Sequence, residues 1–353
     1  MSNDHYLKPL LEPQSLAIIG ASEDPESIGH VILRNVLAGG FKGKVWAVNP
    51  KYQQILDQPC VATVQQIGAQ VDLAIVTTPP NTMPQLIEQC ARAGIRHVVL
   101  ITSPATTGQT ALEKRILDTA RQHGVRLLGP KSVGVIRPRL ALNATFTEAS
   151  PLPGELALVT QSGAMCASLL DWATMHRIGV SSVVALGSAL DIDFGEILDY
   201  LAHDDSTRYI LLHVERVRNA RSFLSALRSA TRSKPVILFK SGELQPGQDE
   251  DQGLLSDAVF DAAVRRAGVL QVRGISQLFH AAMALARNFR PRSPQLAILS
   301  NGTGPAAMAT DAARRSGVPL AQLSATTIEA MKPLLPRDWK GGNHLAKDPA
   351  SAT

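Results

Sequence analysis

The chain has 353 residues, which predicts two or three domains rather than one. It is 45% hydrophobic but only 4% aromatic, with a formal net charge of +5 and no block of consecutive Lys or Arg, so a base-stacking nucleic-acid platform is excluded. Three cysteines (Cys60, Cys90, Cys166) without metal-ligand spacing fit a reducing compartment; with no apolar signal core and no run of ~18 apolar residues, a soluble cytoplasmic protein without a metal is expected.

Short apolar runs alternate with longer amphipathic ones, the pattern of parallel sheets covered by helices. Strands are predicted at Leu16–Gly20, Val45–Val48, Leu73–Val76, Val98–Ile101 and Arg126–Leu128, with helices starting near Ser27, Asn81 and Thr110. Gly94 and Gly124 supply left-handed caps after the last two helices. The stretch "RPRLALNATFTEASPLPGE", punctuated by Pro138, Pro151, Pro153 and Gly154, breaks this Rossmann-like rhythm and predicts a domain boundary. The rhythm resumes with strands Leu156–Thr160, Ser182–Ala185, Tyr209–Val214 and Val236–Lys240, and with helices from Gly163, Asp193 and Ala220. After "ARNFRPRSPQ" come one more strand, Leu296–Ser300, and a helix over Pro305–Arg315. The remainder is too short to complete a sheet, so a partial third α/β unit with a loose tail is expected.

"LAIIGAS", "LALVTQSG" and "LAILSNGTG" each run from a strand through a small polar turn into a helix, aiming backbone N–H groups and a helix dipole at an anion. The first does not follow the dinucleotide fingerprint. Gly20 is followed by Ala21 and Ser22, and the next glycine is Gly29. The second strand ends in Asn49, Pro50 and Lys51, where NAD would call for a carboxylate. A lysine there favours a phosphorylated ribose, as in NADP or coenzyme A. Three further turns end strands on the same sheet edge: "TTPPN", with Thr78, Pro79, Pro80 and Asn81; "ITSPA", with Ser103 and Pro104; and "LLGPKSVG", with Gly129, Pro130, Lys131 and Ser132. No hydride-transfer set accompanies them, which favours coenzyme A over an NADP-dependent oxidoreductase.

Together "GASEDPESIG", "VNPKY", "VTTPPN" and "LLGPKSVG" resemble the CoA-binding domain of the NDP-forming acyl-CoA synthetases, relatives of the succinyl-CoA synthetase α subunit. "TQSGAMCASLLDWA", "LDIDFGEILDYLAHD", "HVERVRNARSF" and "KPVILFKSG" resemble that family's ligase domain, in order. "LNATFT" and the stretch from Leu170 to Asp204 are most similar to the synthetase-like region of bacterial Pat-type protein lysine acetyltransferases. The resemblance implies a Rossmann-like CoA-binding domain over 1–140, a flavodoxin-like ligase domain over 141–290, and an incomplete second ligase-like domain with a tail over 291–353. It also implies CoA or acetyl-CoA as ligand, held by the turns named above, with ATP-grasp or GNAT domains elsewhere.

The family's phosphoryl-carrying histidine sits between two helix N-termini. Gln161, Ser162 and Gly163 match the first, and Thr303 and Gly304 fall in the segment similar to the second. Glu215 matches the glutamate that partners the histidine. The histidine itself is missing: "ELQPGQDEDQGLL" holds Asp249, Glu250 and Asp251 where it should fall, and no histidine lies between His213 and His280. The expectation is therefore a degenerate, CoA-binding synthetase module without catalysis of its own. An active synthetase α-like subunit is the alternative. His97, His123 and His176 are read as capping or surface residues near helix ends, and Cys166 as a small core residue. Lys131 stands for the family's asparagine and either alters acyl preference, blocks the thioester end or adds a phosphate contact.

Overall fold

The structure, a computed structural model, describes residues 5–101, 109–242, 257–287, 293–300, 302–334 and 344–346. The chain forms two units, residues 1–288 and 289–353.

The larger unit opens with a short helix, α1 (Lys8–Leu11), and a seven-stranded sheet. Its strands are β1 (Ser15–Ile19), β2 (Lys44–Val48), β3 (Gln54–Ile55), β4 (Gln58–Val61), β5 (Leu73–Val76), β6 (His97–Leu100) and β7 (Arg126–Leu128), in the spatial order β3-β4-β2-β1-β5-β6-β7. All pairs are parallel except β3–β4. Every residue of β1, β5 and β6 is buried, which is why they read as apolar runs after an opening Ser15 or His97 rather than as alternating ones. Helices α2 (Ile28–Ala38), α3 (Met83–Arg92) and α4 (Gln109–His123) make the crossovers. Ser27 caps α2 by accepting the His30 N–H, an interaction worth ~1 kcal/mol. Gly94 and Gly124 take φ of 82° and 65°, the left-handed geometry expected of them.

A second seven-stranded sheet follows: β8 (Gly134–Arg137), β9 (Leu142–Thr145), β10 (Pro153–Thr160), β11 (Val180–Ala185), β12 (Tyr209–Val214), β13 (Val236–Lys240) and β14 (Leu270–Val272). The order is β14-β13-β12-β10-β11-β8-β9, with β8 and β9 antiparallel to their neighbours. Helices α5 (Gly163–Met175), α6 (Phe194–His203), α7 (Ala220–Ser233), α8 (Asp257–Arg266) and α9 (Ile275–Ala286) accompany it. The architecture is a Rossmann-like layer followed by a flavodoxin-like one. Strand β8 pairs with β11, so the second sheet begins just after the Gly129–Lys131 turn.

One buried cluster runs through both sheets, from Leu16 and Ile18 through Leu128 and Val135 to Leu212 and Phe223. Ion pairs reinforce the join. Arg126 bonds Asp191 at 2.9 Å and Glu196 at 2.6 Å, and Arg137, almost fully buried, bonds Asp204 at 2.7 Å and Glu12 at 3.3 Å. Arg137 and hydroxyls of Ser206 and Thr207 hold the Asp204 carboxyl down to about 2 against its burial.

In the smaller unit, β15 (Ile298–Ser300) runs parallel to β16 (His344–Ala346), with α10 (Thr303–Arg315) and α11 (Ala325–Met331). Leu299 and Met308 are exposed there, and among the described residues Ile298, Ala306 and Ala313 are the buried apolar ones. Among the described residues, no helix is long and apolar enough to cross a membrane, and no group of His, Cys, Asp and Glu is arranged to hold a metal.

Candidate functional site

Each sheet has one point where successive crossovers leave in opposite directions, and a ligand crevice is expected there, beyond the carboxyl ends of the strands. In the first sheet this point is β1, flanked by β2 and β5; in the second it is β10, flanked by β11 and β12. A cleft lies at each.

The first cleft, of about 560 Å³, is walled by Gly20, Asn49, Pro50, Lys51, Thr78 and Pro79, with Thr63, Leu86 and Gln89 opposite. These six residues come from three turns of the sequence reading, which the topology brings to one edge. Gly20 has φ of 94°, and a Cβ there would meet the Thr77 hydroxyl at 2.6 Å. Gly29 is demanded by close approach: its Cβ would lie 2.1 Å from the Gly20 carbonyl oxygen, so only glycine lets α2 start against the turn. The Asn49 amide donates to the Ala21 carbonyl at 2.7 Å, and its Oδ1 accepts the Lys51 N–H at 3.0 Å. Asn49 thus clips the Gly20–Ser22 turn to the turn that carries the lysine. His30 Nδ1 lies 2.9 Å from the Ser22 carbonyl, and the Ser22 hydroxyl takes the Asp24 N–H, so Ser22 shapes the turn. Lys51 is exposed at the rim.

Ala21, Ser22, Pro80 and Asn81 lie outside this lining, as do Gly129, Pro130, Lys131 and Ser132. The last four join the sheets. Gly129 and Pro130 carbonyls accept the Leu190 and Ser188 N–H groups at 3.1 and 2.8 Å, and the Ser132 hydroxyl donates to Ala185 while taking the Gly134 N–H. The Gly129–Pro130 peptide is cis, and Lys131 has φ of 61° with an exposed side chain. Ser103, Pro104 and the acidic stretch Asp249–Asp251 lie outside the described residues.

The second cleft, of about 600 Å³, is walled by Gln161, Gly187, Ser188, Glu215, Arg216, Arg218, Lys240, Ser241 and Gly242, with Glu113 of α4 among them. Ser162 caps α5 by accepting the Met165 N–H at 3.3 Å. The Gln161 amide is occupied: Oε1 accepts the Glu215 and Arg216 N–H groups at 2.8 and 2.9 Å, and Nε2 donates to the Arg216 carbonyl at 2.9 Å. Its side chain therefore fixes the loop after β12. Gly163 opens α5, and Glu215 lines the cleft with its side chain exposed. Thr303 and Gly304 open α10 in the smaller unit.

Residues that the sequence reading passed over line this cleft or bond to its wall. Lys240 pairs with Asp257. His213, on the strand that ends beside Glu215, is 1% exposed and spans Thr160 Oγ1 at 3.0 Å and Ser241 Oγ at 2.9 Å. Burial alone pushes its pKa down to about 4. The only sequence signal was its place just before "VERV". His97, expected near a helix end, instead opens β6 and is buried, which holds its pKa below the usual imidazole range. His176 is the residue after α5, and Cys166 is fully buried, its thiol pushed up to about 12.

Comparison with known proteins agrees with this geometry. The family model described as a CoA binding domain matches residues 14–138, and that of a succinyl-CoA ligase like flavodoxin domain matches 153–285. The chain is 36% identical over 326 residues to the acetate–CoA ligase [ADP-forming] I subunit alpha of Pyrococcus furiosus, a match covering 89% of this chain and 71% of that one. It is 37% identical to the acetate–CoA ligase [ADP-forming] I of Archaeoglobus fulgidus over 94% of its length, but spans only 49% of that longer protein. The dinucleotide-forming acetyl-coenzyme A synthetase 1 of Ca. Korarchaeum cryptofilum, solved with phosphate and ADP, superposes with a TM-score of 0.91 at 30% identity, covering 98% of this chain and 76% of that one.

Proposed function

The chain belongs to the α-like family of NDP-forming acyl-CoA synthetases, and on that premise we propose that it is the CoA- and acyl-CoA-binding part of an ADP-forming acyl-CoA ligase. The carrying observation is the first cleft, where Gly20, Asn49, Lys51 and Thr78 meet at the switch point of the first sheet. The Gly20 turn and the N-terminus of α2 seat the pyrophosphate by the helix dipole. Lys51 meets the ribose phosphate, and the apolar wall of Val64 and Leu86 takes the adenine. The thioester end then reaches toward the second cleft, where Arg216, Arg218 and Lys240 offset Glu215 and attract a phosphoryl group. Nucleotide chemistry belongs to an ATP-grasp partner, as the α-subunit name of the Pyrococcus relative suggests.

A second reading is favoured by one observation: no histidine lies between His213 and His280. A carboxylate in that segment cannot replace an imidazole as a stable phosphoryl carrier beside Glu215. On that reading the chain is a CoA-responsive module of a Pat-type lysine acetyltransferase, and makes no acyl-CoA. Calorimetric titration with CoA, acetyl-CoA and NADP tests the shared core: saturable binding of the first two with NADP silent is expected, and silence for both CoA species overturns it. Incubation with acetyl-CoA and radiolabelled inorganic phosphate separates the readings. Acid-labile label on the chain supports the ligase; its absence supports the module.

A further inference from the structure

We infer that Ser241 is an acyl acceptor activated by His213, which makes the second cleft a site of serine acylation by acyl thioesters. The choice of thioester as donor rests on the CoA-binding reading; the Ser241–His213 pair stands on geometry alone.

Thr160 Oγ1 accepts the Ser162 N–H at 3.0 Å and lies 3.2 Å from the Ser162 carbonyl and 3.0 Å from His213 Nδ1. The inference takes the tautomer in which Thr160 gives its proton to the Ser162 carbonyl and His213 Nδ1 carries the ring proton. The imidazole is neutral, because burial opposes its charge. Nε2 is then bare and accepts the Ser241 hydroxyl at 2.9 Å. Ser241 O–H, His213 and Thr160 thus form a nucleophile, a base and the group that orients the base. Their alignment follows from sheet register: Thr160, His213 and Phe239 are partners across three adjacent parallel strands, and the Phe239 ring stacks on the imidazole at 5.6 Å.

Ser241 also lies where a nucleophile is useful. It is the first residue beyond β13, half-buried, in the wall of the 600 Å³ cleft. Gly242, which follows it with φ of 74°, lines the same cleft. Arg216 and Arg218 line the cleft and favour the oxyanion of a tetrahedral intermediate.

The step balances without an added oxidant or metal. Ser241 gives its proton to His213 Nε2 as Oγ bonds the thioester carbonyl carbon. The C–S bond breaks, and the departing thiolate takes the proton from the imidazolium. Water, losing a proton to the same nitrogen, then attacks the ester, releasing the carboxylic acid and restoring Ser241. Thr160 is a positioning residue, acting through His213.

The test uses the full chain with two probes, p-nitrophenyl acetate, which needs no CoA seat, and acetyl-CoA. Peptide mass mapping should find an acetyl ester on Ser241, removed by hydroxylamine, with both. His213→Gln should slow its formation by about 100-fold or more, and Thr160→Val should slow it while Thr160→Ser restores it. Modification from the nitrophenyl ester but not from acetyl-CoA keeps the activated serine and overturns the thioester donor. No acetyl on Ser241 of the unmutated chain with either probe overturns the inference, independently of how any variant folds. Calorimetric CoA binding in the same sample shows whether the CoA-binding reading has failed with it.

Discussion

Replacing His213 by Gln should change how stability depends on pH. The imidazole is 1% exposed, and burial brings its pKa from 6.5 to about 4. A histidine depressed in the folded state binds more protons unfolded than folded between those values. Its neutral form therefore contributes stability that is complete above pH 6.5 and lost as pH falls toward 4. From the two pKa values, the loss between pH 7.5 and pH 5 is ~2 kcal/mol for this one residue. Urea unfolding at pH 7.5, 6, 5 and 4.5 measures it. The unmutated chain should lose ~2 kcal/mol more than His213→Gln between the first and third of these. Parallel pH profiles would show that His213 titrates alike folded and unfolded and would contradict its burial.

Gly29→Ala should lower stability by at least ~1 kcal/mol and abolish CoA binding, since its Cβ would sit 2.1 Å from the Gly20 carbonyl oxygen; thermal melting and calorimetry check both. Arg137→Ala should cost about 3 kcal/mol in urea unfolding, because it leaves the buried Asp204 carboxylate without its cation; a loss below 1 kcal/mol would contradict the pairing. Ser182→Ala should be neutral or stabilising by up to ~1 kcal/mol, because the buried Ser182 hydroxyl has no hydrogen-bond partner among the described residues.

The strands most legible in the sequence were those buried on both faces. Leu73–Val76 is an uninterrupted apolar run between turn residues, and Tyr209–Val214 is broken only by His213, the pattern of strands buried on both faces of a parallel sheet. The antiparallel pair β8–β9 was not legible. Leu142–Thr145 contains Asn143 and Thr145, buried polar residues whose needs are met by one another and by the Ala149 carbonyl, a compensation that periodicity does not reveal. The first cleft could be read because glycine and proline at strand ends announce turns, and parallel topology puts such turns on one edge. The hydrogen-bond chain behind the second could not. His213 acquires its meaning from Thr160, 53 residues before it, and Ser241, 28 after it. Gln161 likewise has the composition of a phosphate turn but spends its amide on a loop more than 50 residues away.

The most direct test of the CoA-seat account compares CoA with 3′-dephospho-CoA on the unmutated chain and on Lys51→Ala by calorimetry. If the first cleft holds the nucleotide with Lys51 against the ribose phosphate, removing either partner weakens binding by about 10-fold, and removing both adds little more. Equal affinity for the two ligands on the unmutated chain, or full additivity of the two losses, would contradict the account and place CoA elsewhere.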